Sequence, residues 1–246
     1  MATSHPLVNL RQVGSVDLSW FLVKMTVQFV NFIPMQELHT KPLVVAATRA
    51  EIALSIPLLD AQQIPYVITG VGMVATAYAL TKALHRYTPS YILNLGIAGS
   101  LSDELPIGSV VEIVQDTFFE LGAENEDGFI PLEQLGFGAS SWANLSSGHI
   151  HTALDKVEGI TVNKVHGHKR AIQQVQQRLP YARTESMEGA AVFYVSNEEN
   201  IPCIQVRSIS NFVGPRDKST WNIPLAIQNL HEWLSDFLKL RDGQQS

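Results

Sequence analysis

The chain has 246 residues, 46% of them apolar and only 16% charged, against about 25% charged in an average globular domain; this is core-forming material, and it excludes a disordered protein. A net charge of -6 leaves no electrostatic footprint for nucleic acid. A single cysteine, Cys203, excludes an internal disulfide and a cysteine-based zinc site.

The first apolar stretch, Leu18 to Met35, is interrupted by Lys24, Gln28 and Asn31. It is too broken to span a bilayer, and no small-x-small cleavage site follows it cleanly. Residues 1–40 therefore read as an N-terminal extension, either disordered or the product of a misplaced start, with Met35 the alternative start. Residues 41–246 read as one domain, since no repeat, low-complexity tract or Pro/Ser-rich linker divides them.

From Lys41 onward, β-rich runs alternate with helical periods. The pattern predicts strands at Leu43 to Ala47, Tyr66 to Thr69, Tyr91 to Leu95, Val110 to Val114, Gly159 to Val165 and Ile204 to Arg207. Helices are expected from about Ala50 to Leu59, Met73 to Arg86, Lys169 to Arg178, Glu188 to Glu199 and Leu225 to Leu240. In the last of these, Ile227, Leu230, Trp233, Leu234, Phe237 and Leu238 share one face, as in a surface helix packed on a core. Cys203, in the apolar run from Ile201 to Val206, reads as a small buried hydrophobe. The order βαβαβ, followed by further strands and βα, implies an α/β fold with a mostly parallel sheet.

Such sheets bind ligands at the carboxyl ends of their strands. The residues expected there are Thr48 to Glu51, Gly70 to Met73, Gly96 to Gly99 and Arg207 to Asn211. The run from Gly70 to Ala75 has the form GxGxxA of a dinucleotide fingerprint. That reading needs an acidic residue roughly 20 positions on, and Val71 to Ser102 contain neither Asp nor Glu. The glycines then serve either a tight strand-to-helix turn or contact with another ligand.

Taken together, VVAATRAEI, the glycine turn, ILNLGIAGSL, TESMEGAAV and VRSISNFVG resemble the purine nucleoside phosphorylase and nucleosidase superfamily over residues 41 to 240. Within it, Phe119 to Phe129 (FELGAENEDGF), Val162 to Gly167 (VNKVHG) and Ser210 to Trp221 (SNFVGPRDKSTW) resemble the futalosine hydrolases. Those enzymes remove hypoxanthine from futalosine in an alternative menaquinone pathway. The resemblance implies a nucleoside phosphorylase-like α/β sandwich, a cytoplasmic homo-oligomer acting on a small nucleoside, no cofactor and no metal, and neither membrane nor nucleic-acid partners.

It also implies roles. Breaking an N-glycosidic bond passes through an oxocarbenium-like sugar, so the site must clamp the ribose, supply a nucleophile and stabilise the departing base. Glu188 matches the carboxylate that holds the ribose hydroxyls, and Met187 would pack on the sugar. Glu51 matches the water-activating acid of related nucleosidases, with Arg207 beside it. Helix N-terminal charge compensation is the structural alternative for both glutamates, and a structural ion pair the alternative for Arg207.

Related phosphorylases hold phosphate with an arginine and a serine where this chain has Asn94 and Ile97, so water is the expected nucleophile. Asn211 stands where methylthioadenosine/S-adenosylhomocysteine nucleosidases carry an Asp that protonates adenine. An amide donates to a C6 oxygen instead and suits a 6-oxopurine, unless Asn211 is only a turn former.

Gly99 and Phe193 complete the expected substrate contacts. Arg216 and Lys218 follow the base-binding loop and are read either as attracting the aryl carboxylate of futalosine or as solvated loop charges. For Phe118, Phe119 and Phe193 aromatic core packing is the default, and stacking on base or sugar the functional reading. The pairs His149/His151 and His166/His168 have metal-compatible spacing without an accompanying carboxylate pattern, and they read as surface or loop residues. A methylthioadenosine-type nucleosidase and an inactive nucleoside-binding homologue are the competing assignments.

Overall fold

The computed structural model describes residues 41–242 apart from 127, 146–149 and 216. The expected N-terminal extension, Arg216 and His149 thus lie outside the described residues.

The first strand, β1 (Leu43–Ala46), is buried on both faces, as expected of a central parallel strand. It leads to α1 (Arg49–Ile52), α2 (Ile56–Ala61), β2 (Tyr66–Ile68), α3 (Met73–Leu84) and the long β3 (Ile92–Ser100). Next come β4 (Val110–Phe118), the hairpin β5 (Gly122–Asn125) and β6 (Gly128–Pro131), α4 (Leu132–Leu135) and β7 (Ser141–Ala143). The chain continues through β8 (Lys156–Thr161), α5 (Lys169–Arg178), β9 (Ala182–Ser186), α6 (Gly189–Glu198), β10 (Cys203–Phe212) and α7 (Ile223–Asp242).

Parallel pairings join β2 to β1, β1 to β3, β3 to β10, β4 to β8 and β8 to β9, while β4–β10, β3–β9 and β4–β7 are antiparallel. The sheet is mostly parallel, as expected, and helices flank it. One face packs Val44, Leu93, Leu95 and Val206 with Ile52, Leu59, Leu230 and Leu234. On the other, Leu43, Val45, Ile92 and Ile113 meet Leu80, Val192 and Phe193.

β3 organises the site because one of its edges has two partners. Residues Ile92 to Asn94 pair with β1, and further along Gly99 and Ser100 pair with β9. Its other edge pairs continuously with β10. Strands β3, β10, β4, β8 and β9 therefore close on themselves, with β1 and β2 extending from the lower half of β3. Between the two partners the N–H of Ile97 has no strand beside it, and a side-chain carboxylate takes that bond.

Several boundaries depart from expectation. The helix predicted from Ala50 to Leu59 is two helices, since Pro57 lies at the start of α2 and cannot donate within a continuous helix. The strand expected to reach Val165 stops at Thr161; the N–H groups of Asn163 and His166 bond instead to the carboxylates of Glu120 and Glu185. Conversely, β3 and β10 run on through residues that resemble turns, so Gly96 to Gly99 and Arg207 to Asn211 lie within strands. The two glycines serve close approach. An added Cβ at Gly96 would fall 2.8 Å from Glu51 Oε1, and one at Gly99 would fall 2.7 Å from Val213 Cγ2.

Candidate active site

A cavity of about 580 Å³ opens over the region where β3 changes partners. Its wall includes Thr48, Glu51, Ile97, Gly99, Met187, Glu188 and Asn211. Segments that the sequence separates by more than a hundred positions thus meet in one place.

Glu51 sits in the first turn of α1 and reaches back to the residue before the helix. Its Oε2 accepts from Thr48 N at 2.8 Å and from Thr48 Oγ1 at 2.9 Å, and its Oε1 accepts from Ile97 N at 3.2 Å. Both carboxylate oxygens are therefore held, one by the helix start and one by the gap in β3. The helix N-terminal interaction weighed as an alternative for Glu51 is present, and the same carboxylate also faces the cavity.

Arg207 is 2% exposed and lies behind the wall rather than on it. Its Nη1 donates to the carbonyls of Val206 at 3.2 Å and Asn94 at 3.5 Å, while Nε has no partner. Among the described residues it forms no ion pair. Arg207 stands beside Glu51 without bonding to it: an added Cβ at Gly96 would lie 2.8 Å from Glu51 Oε1 and 3.4 Å from Arg207 Nη1. A buried guanidinium interacts strongly with neighbouring charges because little water screens it.

Glu188 precedes α6, and its Oε1 accepts from the backbone N–H of Gly72 at 2.9 Å. Burial pushes its carboxyl above the ordinary range, as does the charge of Glu51, while the Gly72 N–H and the Arg207 cation pull it down. The glycine turn after β2 thus has a definite function. Gly72, at φ +95°, turns its N–H toward this carboxylate rather than toward a pyrophosphate.

Beneath α6 lies a polar chain that motif reading does not reveal. Thr161 Oγ1 accepts from Ala190 N at 2.7 Å and donates to Asp116 Oδ1 at 2.8 Å. Asp116 Oδ2 accepts from Gln205 Nε2 at 2.7 Å, and Gln205 Oε1 accepts from Asn94 Nδ2 at 3.0 Å. An added Cβ at Gly189 would fall 2.1 Å from Asp116 Oδ2, so only glycine lets the helix start so close to this network. Asn94 is spent here and is absent from the cavity wall, to which Ile97 contributes an aliphatic side chain.

On the opposite side, Asn211 lies in register with Gly99, and Gly99 with Glu185. The register of β10 shifts between Ile209 and Asn211, which sets this row. Asn211 Oδ1 accepts from Ser210 Oγ at 2.8 Å and its Nδ2 donates to Phe212 O at 2.9 Å. Glu185, almost fully buried, accepts from His166 N at 2.9 Å and from His166 Nδ1. The imidazole also meets the Phe119 ring edge-on, with centroids 5.3 Å apart.

His166 and Glu185 both line the cavity, and sequence reasoning missed them as a pair. VNKVHG and TESMEG contain them, but nothing in the spacing says that they touch. His168 does something different, capping α5 by accepting from Ala171 N at 3.2 Å. Phe193 is a correction. Its side chain is fully buried among Leu80, Ile113 and Val192, away from the cavity, because α6 turns that face toward the sheet. Phe119 is buried behind His166, and Lys218 sits in a short exposed 3-10 turn.

The comparisons with known proteins agree with this architecture. A family model described as the phosphorylase superfamily matches residues 35–239. The chain is 34% identical over 145 residues to a futalosine hydrolase of Streptomyces coelicolor, covering 56% of this chain and 61% of that one. It is 32% identical over 172 residues to a futalosine hydrolase of Acidothermus cellulolyticus, covering 66% and 70%.

The solved futalosine hydrolase of Helicobacter pylori superimposes with a TM-score of 0.69 at 19% identity, over 83% of this chain and 99% of that one. A methylthioadenosine/S-adenosylhomocysteine nucleosidase of Neisseria meningitidis gives 0.69 at 15% identity, over 81% and 99%. These two likenesses show a common fold. With the family model spanning most of its length, the chain belongs to the phosphorylase superfamily.

Proposed function

We propose that this protein hydrolyses the N-glycosidic bond of futalosine, releasing hypoxanthine and dehypoxanthine futalosine for menaquinone biosynthesis. The observation that carries this reading is the pairing of Glu51 and Glu188 in one cavity whose described wall contains no lysine or arginine. Such a wall offers little to neutralise a phosphate dianion, whereas a firmly held carboxylate suits activation of water.

Glu51 accepts a proton from the attacking water. Glu188 accepts from the ribose hydroxyls, more strongly as the sugar becomes cationic. Met187 packs on the sugar and Asn211 reads a 6-oxopurine. Arg207 supplies a fixed positive charge behind the carboxylates, and Arg216 meets the aryl carboxylate. The identity to two futalosine hydrolases supports the substrate. We place the enzyme in the cytoplasm as a homo-oligomer; no helix among the described residues is long and apolar enough to cross a membrane.

A panel of futalosine, inosine and methylthioadenosine, each with and without phosphate, tests the proposal. Hypoxanthine should appear from futalosine at a rate that phosphate leaves unchanged. A sugar 1-phosphate product, or preferential release of adenine from methylthioadenosine, would overturn it.

A further inference from the structure

We propose that His166, held by Glu185, is the proton donor to the departing purine. This deepens the proposed hydrolysis and rests on it. A purine leaving as an anion is a poor leaving group, so a site that cuts its bond gains from an acid at the base. Asn211 cannot be that acid: an amide has no proton to give at ordinary pH, and both of its polar atoms already bond to neighbouring residues.

The register locates the alternative. Asn211, Gly99 and Glu185 form one row across β10, β3 and β9. Neighbouring strands lie about 4.8 Å apart, so Asn211 and Glu185 stand roughly 10 Å apart on either side of a residue with no side chain. Residues directly opposite each other project from the same face. The wall of one cavity contains both Asn211 and the Glu185–His166 pair, so a purine held there lies within reach of the amide and of the imidazole.

The pair has the chemistry required. Histidine is the side chain most often used as a general acid, and the buried Glu185 carboxylate holds the ring in place. His166 Nδ1 is committed to Glu185, so Nε2 is the nitrogen that can serve a ligand, and among the described residues it has no protein partner. Phe119 against the ring edge, with the backbone N–H of His166 bonded to the same carboxylate, restricts the ring's rotation.

The step balances. The C1′–N9 bond breaks with its electron pair going to the purine, which takes the Nε2 proton of imidazolium at N7 and leaves neutral. Water adds its oxygen to C1′ and yields its proton to Glu51; solvent then returns that proton to the imidazole. Glu185 is a positioning residue throughout.

The test compares inosine and futalosine with substrates that need no acid, 7-methylinosine and 4-nitrophenyl riboside, and measures hypoxanthine affinity by calorimetry. His166→Gln should lower turnover of inosine and futalosine by about 100-fold or more, the usual scale for losing an acid. Turnover of the acid-independent substrates should fall far less, and hypoxanthine should bind about ten-fold more weakly. Glu185→Gln should show the same selectivity to a smaller degree.

Equal losses on all substrates, or none, would overturn the inference and leave the hydrolase reading standing. A wild-type protein that cleaves no nucleoside, but binds hypoxanthine in a His166-dependent way, would instead defeat the hydrolase reading and keep the base contact. Unchanged hypoxanthine affinity in both variants, with no selective loss, defeats the contact itself.

Discussion

Gly72 donates its backbone N–H to Glu188 Oε1 at 2.9 Å, across 116 positions of sequence. The bond ties the loop after β2 to the start of α6. It requires φ +95° and ψ 157° at Gly72, a region essentially restricted to glycine that costs a side chain on the order of 1–3 kcal/mol. An added Cβ there meets nothing within 4 Å, so Gly72→Ala should perturb only the backbone. We expect a modest loss of stability and a larger loss of kcat/KM, through displacement of Glu188. Full activity in a Gly72→Ala protein would show that this bond does not position the carboxylate.

Gly96→Ala isolates Glu51 from the opposite direction. The new methyl would overlap Glu51 Oε1, 2.8 Å from its position, while the flexible carboxylate can swing away at little cost to folding. The expected variant is stable and nearly inactive, resembling Glu51→Gln, for which loss of a general base lowers the rate by about 100- to 10,000-fold. Glu188→Gln should differ by also weakening the binding of cationic ribose mimics. Melting temperature measured beside kcat separates these effects, and a Gly96→Ala protein as active as wild type would contradict the assigned position of Glu51.

Asn211→Asp tests base reading. An ionised carboxylate would oppose the hypoxanthine oxygen, an unpaired acceptor contact costing about 1–3 kcal/mol. A protonated one would offer its carbonyl oxygen to a 6-amino group, moving relative preference toward adenine nucleosides. Paired kinetics on inosine and adenosine decide it; an unchanged ratio would mean that Asn211 does not read the base.

Phe193 separates core from site. Fully buried in the layer between α6 and the sheet, it should tolerate Phe193→Leu with a loss of about 1–3 kcal/mol of stability and an unaltered KM. A raised KM at unchanged stability would restore it to the cavity.

Asp116 gives the fold a pH dependence. Burial pushes its carboxyl up to about 6, against the pull of Gln205, Thr161 and Arg207. Since this lies above the unfolded value of 3.8, the folded state binds more protons between the two. The stabilisation is complete below the unfolded value and is lost as pH rises through about 6. Relative to Asp116→Asn, wild-type stability should fall by on the order of 1–3 kcal/mol between pH 4 and 7. Denaturant unfolding across that range checks the sign, and a constant difference would show that Asp116 does not titrate on folding.

What the sequence determined by itself was the local physics. Continuous apolar runs mark β1 and the lower part of β3 because strands buried on both faces need them. The spacing of Leu230, Leu234, Phe237 and Leu238 marks α7 because one helical stripe must meet the core. Glu51, Met187, Glu188 and Asn211 were legible through their motifs. β9 was not, since its sequence, ARTES, has no apolar alternation; its Glu185 is buried and paired with His166 from another segment. Gly96 and Gly99 read as turns because a lone sequence shows their flexibility and not the carboxylate and valine packed against them. Phe193 likewise reads as an available aromatic until the rotation of α6 turns it into the core. Tertiary structure decided these cases because burial, charge pairing and close approach are relations between distant segments, and β3 brings them together by changing partners partway along its edge.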